Sequence, residues 1–160
     1  MSDIQAGHEK TLTAMLPALA GANLIYGLGM LESGITLGYG QMVMDNEFAG
    51  MIRYALQGIP VNDETLDVDS IIRVGPGGNH LTEPNTVSKT RGYQSTPKFI
   101  DRNLMDNWLL EGGVDFKTKC DEEARRILET HQVTPVSEYA VGTIREIIEK
   151  EERDLGISQS

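Results

Sequence analysis

Apolar positions recur at helical spacing along most of the chain. Leu12, Met15, Leu16 and Leu19 share one face of a stretch that predicts a helix over residues 8–20. Pro17 lies within it and is expected to kink or shorten it, and Gly21 to stop it. Met44, Phe48, Met51, Ile52 and Ala55 make the clearest stripe and predict a helix over 41–57, closed by Gly58 and Pro60. A shorter helix is expected after Asn62, carrying Leu66, Val68, Ile71 and Ile72 and stopping at Gly75-Pro76-Gly77-Gly78. Thr82 as cap and Pro84 in the first turn predict the next, with Lys89 and Arg91 near its C-terminal end, where cations suit the helix dipole. Residues 104–110 are expected to be helical and to end at Gly112-Gly113. Ala124, Ile127, Leu128 and His131 define a helix over 121–131, with Glu122–Arg126 and Arg125–Glu129 as i,i+4 pairs. Ala140, Ile144, Ile147 and Ile148 form the expected buried stripe of a last helix, with Thr134 as cap, Pro135 at its first position and Gly156 at its end. Residues 92–103 have no clean period, and 31–40 read as a loop.

One stretch departs from this pattern. Asn23-Leu24-Ile25-Tyr26-Gly27-Leu28-Gly29-Met30 is a short, mostly apolar run of the kind found in strands buried on both faces of a parallel sheet. Gly27 and Gly29 would allow close backbone approach there. A single strand makes no sheet. Two architectures follow: an all-helical domain in which this run is not a strand, or a slice of a βα barrel whose other strands lie elsewhere.

Composition narrows the function classes. The chain has 160 residues, 39% apolar and 24% charged, as in a soluble globular domain or part of one. Its net charge of −10 argues against a nucleic-acid partner, which needs clustered Lys and Arg. An acidic balance can attract a cationic substrate, although its usual role is solubility. The one cysteine, Cys120, rules out an internal disulfide and points to a reducing compartment. No apolar run reaches the ~18 residues that span a bilayer, and the N-terminus is polar. The expectation is a cytoplasmic protein without a membrane partner.

Several constellations bear on chemistry. Tyr26-Gly27-Leu28-Gly29-Met30-Leu31-Glu32 starts like a dinucleotide fingerprint, but Glu32 stands in place of the third glycine and a loop follows where a helix should open. Glu32 itself follows the buried-type run, where α/β proteins place functional groups; the plain alternative is an exposed loop acid. Asp45-Asn46-Glu47-Phe48-Ala49-Gly50 has the spacing of the corrinoid-binding Asp-x-His-x-x-Gly pattern, with Glu47 where the cobalt ligand should be. A carboxylate replaces imidazole poorly there, so the chain is not expected to bind its own corrinoid. Asp45 and Glu47 are assigned instead to the helix dipole in the first half of the 41–57 helix. His8, His80 and His131 do not share a zinc spacing with Cys120, and no metal site is expected. Gly75-Pro76-Gly77-Gly78-Asn79-His80 is either a sharp turn or a glycine-rich loop presenting Asn79 and His80 to a pocket. Tyr26, Tyr39, Tyr93 and Trp108 could cage a methylated ammonium, with core packing the simpler role for Trp108.

Taken together, these residues resemble a known family. Asp3-Ile4-Gln5-Ala6-Gly7-His8-Glu9-Lys10 is similar to the Asp-x-Gln-x-Gly-x-Glu-Lys opening of a late barrel unit in trimethylamine methyltransferases. The match continues from Pro17 through Gly21, Gly27 and Ser33-Gly34 to Asp45-Asn46-Glu47. Arg73-Val74-Gly75-Pro76-Gly77-Gly78 with Leu81 and Thr86 follows, then Pro97-Lys98-Phe99-Ile100-Asp101-Arg102, Trp108 and Gly112-Gly113. The resemblance implies the C-terminal portion of a (β/α)8 TIM barrel over residues 1–156, helix-rich with few strands, followed by a tail at 157–160. It implies methyl transfer from trimethylamine to the cobalt of a separate corrinoid protein, a reaction of methylamine metabolism and methanogenesis. Some family members carry pyrrolysine, which would lie upstream of Met1; a misread amber codon is the corresponding hypothesis. Relatives without it act on quaternary amines such as glycine betaine. No cofactor is expected on this chain, because the corrinoid belongs to the partner.

The implied substrate-binding residues are Gln5, Glu32, Asn79 and His80. Gln5 and Glu32 are preferred because both follow the expected ends of barrel strands. Asn79 stands where many relatives carry histidine, and His80 where they carry phenylalanine, which puts a transferred role there in doubt. A non-enzymatic alternative is an inactive piece that forms homo-oligomers or associates with a missing N-terminal portion through its exposed apolar face.

Overall fold

A computed structural model describes residues 2–157. The chain forms two compact units, Met1–Leu128 and Glu129–Ser160. The first contains α1 (Ile4–Leu19), β1 (Met30–Leu31), a 3-10 turn (Glu32–Gly34), β2 (Thr36–Leu37) and α2 (Tyr39–Ala55). It continues through α3 (Asp63–Leu66), α4 (Val68–Val74), α5 (Pro84–Lys89) and α6 (Met105–Leu110), and α7 (Phe116–Thr130) runs to the boundary. The second unit holds α8 (Glu138–Asp154).

Four helices, α1, α3, α7 and α8, begin where polar side chains satisfy free N–H groups. Asp3 accepts the Ala6 amide at 3.0 Å and starts α1 before the apolar stripe does. Pro17 falls in the last turn, so α1 ends without a break in its middle, and Gly21 at φ 83° turns the chain away. The region after Asn62 is two helices, not one. Asn62 and Thr65 form a capping box for α3, and Asp67, left-handed at φ 45°, separates it from α4. Glu83, not Thr82, occupies the cap position of α5, and Pro84 takes its first turn as expected. Asp115 accepts the Thr118 amide at 2.9 Å, and α7 begins five residues before the expected start. In the second unit Ser137, not Thr134, caps α8 through the Ala140 amide. Its apolar stripe is not buried: Ile144, Ile147 and Ile148 are exposed. Beyond Ile157, the expected tail lies outside the described residues.

The strand expected at 23–30 is absent as such. Residues 24–27 carry no regular structure, and Leu24 and Tyr26 are about 80% exposed. A buried-type strand needs neighbours on both edges, and none exists among the described residues. The pairing found there is the antiparallel hairpin of β1 and β2, with Met30 opposite Leu37 and Leu31 opposite Thr36. It occupies the segment expected to be a loop. The described structure is thus helix-rich with very few strand residues.

The core of the first unit lies where α1, α2 and α7 meet. Met44, Ile52, Cys120 and Ala124 are its buried apolar side chains. Phe48 and Phe116 meet as tilted rings at a centroid distance of 5.9 Å and an interplanar angle of 47°. Gly40 permits the closest approach: a Cβ there would fall 1.8 Å from Asp121 Oδ1. Total accessible surface is 12924 Å².

Candidate functional site

Gln41 and Asp45 lie one turn apart on α2, so their side chains share a face. Both are buried, within the same stripe as Met44 and Ile52. Asp45 Oδ1 accepts from Gln41 Nε2 at 2.6 Å. Asp45 Oδ2 accepts from two groups, the Gly29 N–H at 2.8 Å and Lys10 Nζ at 2.7 Å. Lys10, on α1, also donates to the Gly27 carbonyl at 3.1 Å. The ion pair is largely withdrawn from water, with side-chain exposures of 22% and 8%. Desolvating two charges is costly, and here each has further hydrogen bonds that offset the loss. Gly29 is required twice over, by its φ of 77° and because a Cβ would sit 3.0 Å from Leu37 Cδ1 and Met42 Cβ.

From Gly29 the chain enters the β1–β2 hairpin, closed at its base by the Gly38 N–H donating to the Gly29 carbonyl at 2.8 Å. At its tip Glu32 and Ser33 are both left-handed, at φ 49° and 54°. Non-glycine residues held there cost about 1–3 kcal/mol each and persist only where surrounding structure fixes them. Thr36 Oγ1 donates to Glu32 Oε2 at 2.6 Å, so the carboxylate is exposed yet oriented. Beside the Lys10–Asp45 pair lies a cleft of about 490 Å³, walled by Tyr26, Phe48, Ile52 and Arg53 among others.

The four residues expected to bind substrate are placed as follows. Gln5 is exposed in the first turns of α1, and its Nε2 donates to Glu9 Oε1 at 2.8 Å. Glu32 caps the hairpin. Asn79 is exposed and accepts the Leu81 amide at 2.9 Å, shaping the loop after α4. His80 lines a smaller cleft of about 260 Å³ with Asp67, Asn85 and Lys89. None of the four lines the larger cleft, and no hydrogen bond or ion pair among the described residues joins any two of them.

The His80 cleft has its own charge network. The Asn85 amide, 2.7 Å from Asp67 Oδ2, is the main reason the Asp67 carboxyl lies below its ordinary range. Arg73 first, and Ser70 in support, hold the Glu83 carboxyl low in the same way.

Asp45 and Glu47 correct a sequence expectation. Because α2 starts at Tyr39, neither acid lies in its first turn, and neither serves the dipole. Glu47 is buried and accepts the Phe99 amide at 3.0 Å. It holds the 97–103 loop. Among the described residues no three His, Cys, Asp or Glu side chains converge to hold a metal ion. Nor is any helix there long and apolar enough to cross a membrane. Cys120 is fully enclosed, and burial, with Glu47, Asp121 and Glu123 adding to it, pushes its thiol up to about 12.

The Lys10–Asp45–Gln41 cluster was not anticipated from the sequence. Its signal was present: Gln41 and Asp45 fall at i,i+4 inside an otherwise apolar stripe, and a polar pair in that position needs buried partners.

Comparison with known proteins identifies the class. A sequence model of the trimethylamine methyltransferase (MTTB) family matches residues 1–156. The chain is 51% identical over 158 residues to the trimethylamine methyltransferase MttB of Desulfitobacterium hafniense (strain DSM 10664 / DCB-2), covering 99% of this chain and 32% of that protein. It is 44% identical over 151 residues to the trimethylamine methyltransferase MttB of Methanosarcina barkeri, covering 94% and 30%. A glycine betaine methyltransferase of D. hafniense (strain Y51) is 34% identical over 110 residues, covering 68% and 23%. The chain belongs to the trimethylamine methyltransferase family, and it spans about a third of the length of the curated relatives it matches.

Proposed function

We propose that this chain is the C-terminal portion of a (β/α)8-barrel enzyme that moves a methyl group from trimethylamine to a corrinoid carried by a separate protein. The observation that carries this reading is the 51% identity to a trimethylamine methyltransferase across 99% of the chain. The glycine betaine enzyme is less similar and over a shorter stretch, at 34%. The unpaired apolar run at 23–28 and the large exposed surface favour a fold completed by further polypeptide. The catalytic group, pyrrolysine in some relatives, then lies outside residues 1–160.

Within this reading, the oriented Glu32 carboxylate balances the positive charge of a methylated ammonium at the barrel mouth. Gln5 polarises the same pocket, and the loop bearing Asn79 and His80 forms part of its wall. These residues bind and orient the amine; none acts as nucleophile. The methyl acceptor is a corrinoid on the partner, and no residue of this chain is assigned to hold it.

The test is a substrate panel on the complete enzyme ending in this sequence, with its corrinoid protein kept reduced. Methylation of cobalt, read by its absorption spectrum, is expected with trimethylamine. Turnover with glycine betaine and none with trimethylamine would transfer the reading to the quaternary-amine branch. No turnover with any methylated amine would leave the chain a non-catalytic, associating piece.

A further inference from the structure

We propose that Asp45 is a positioning residue for the Glu32 carboxylate, acting through Lys10 and the Gly29 amide. The proposal rests on the reading of Glu32 as an amine-facing group and extends it to the residues that hold Glu32 in place.

The geometry is directional. One oxygen, Asp45 Oδ2, accepts from the Gly29 N–H and from Lys10 Nζ, and the same ammonium donates to the Gly27 carbonyl. Both ends of the 27–29 turn are therefore pinned, one to α2 directly and the other to α1 through Lys10. Three residues after Gly29 comes Glu32. The Gly38 N–H to Gly29 carbonyl bond carries the same anchor into the returning strand, which bears Thr36, the partner of the Glu32 carboxylate. The stem is fixed at a polar clamp, and the tip holds two consecutive left-handed non-glycine residues. Such a tip needs an over-determined base.

Stability alone gives no reason for the clamp to be ionic. Well-packed apolar side chains in place of a buried ion pair are often as stabilising or more so. They could not, however, fix an N–H and a carbonyl two residues apart. A generic brace would hold α1 against α2 and leave Glu32 indifferent to its loss, and that difference is measurable.

The experiment compares the complete enzyme ending in this sequence, isotopically labelled only over residues 1–160, with its Asp45→Asn and Lys10→Met variants by NMR. Helix content is followed by circular dichroism, and Asp45→Glu, which keeps the charge on a longer arm, replaces any variant that loses helix. The expected result is a change in the three-bond HN–Hα couplings and amide shifts of Glu32 and Ser33, with α5 signals unmoved. Faster exchange of the Gly29 amide with unchanged couplings at Glu32 and Ser33 overturns the proposal. In the complete enzyme, Asp45→Asn and Glu32→Gln are expected to raise KM for trimethylamine by similar factors, and the double variant by no more than Glu32→Gln alone. Multiplying factors overturn positioning. A Glu32→Gln enzyme with unchanged kcat and KM refutes the amine-facing reading instead, and the couplings at Glu32 and Ser33 in the labelled enzyme still decide whether Asp45 sets the hairpin.

Discussion

Cys120 contributes nothing to solvent-facing chemistry, because no part of it is exposed and burial beside Glu47 keeps its thiol protonated up to about 12. Alkylation requires the thiolate and access to it. At pH 8 the native chain is expected to react with iodoacetamide more than about a hundredfold slower than the urea-unfolded chain. Equal rates would show that the α2–α7 contact opens freely. Glu123 lies at the other extreme. Hydrogen bonds from Arg126 and Lys98 hold its carboxyl at about 2, below its ordinary value of 4.5. A carboxyl depressed on folding contributes stability that is fully present above pH 4.5 and is lost as pH falls through about 2. Glu123→Gln should therefore lower stability at pH 7 and flatten its decline between pH 4.5 and 2, as read by urea titrations at each pH. An unaltered pH profile would mean that the Lys98 and Arg126 contacts do not persist in solution.

The α2–α7 contact depends on one missing side chain. A methyl group at Gly40 would collide with Asp121 Oδ1 and lie 3.3 Å from the Asp121 Cα. Gly40→Ala is expected to destabilise the first unit by about 1–3 kcal/mol, the usual cost of overpacking. Asp121→Ala in the same chain should recover part of that loss, since it removes the nearer clash and leaves the backbone one. Urea unfolding of the two variants checks both signs. The same elements show what could be read in advance. The stripes of α1 and α2 matched their helices to within a few residues, because packing period is local information. Caps were less legible: Thr82 and Thr134 were good candidates, but Glu83 stands at the start of α5 with its carboxylate held by Arg73 and Ser70 and no side-chain cap bond, and Ser137 caps α8. The run at 23–30 failed as a strand because pairing is a non-local property. Its pattern specifies a buried sheet, and no sheet surrounds it among the described residues. The Lys10–Asp45 clamp was hidden for the same reason, joining residues 35 apart. Of the expected site residues, Glu32 follows a run that forms no buried strand, and its left-handed backbone and its bond to Thr36 are tertiary facts.

At the scale of the molecule, surface is the dominant observation. Within the first unit, Leu24, Tyr26, Ile35, Ile59 and Leu110 are among the large apolar side chains left open. Family membership over residues 1–156 and a length of about a third of the relatives give that surface a ready explanation. Under the proposed reading, it is surface on which the rest of the fold would pack. The most direct measurement is sedimentation velocity of the chain alone and mixed with the preceding two-thirds of the D. hafniense MttB relative. The account predicts that the mixture forms a one-to-one complex and that the chain alone self-associates. A chain that stays monomeric in both samples would contradict it.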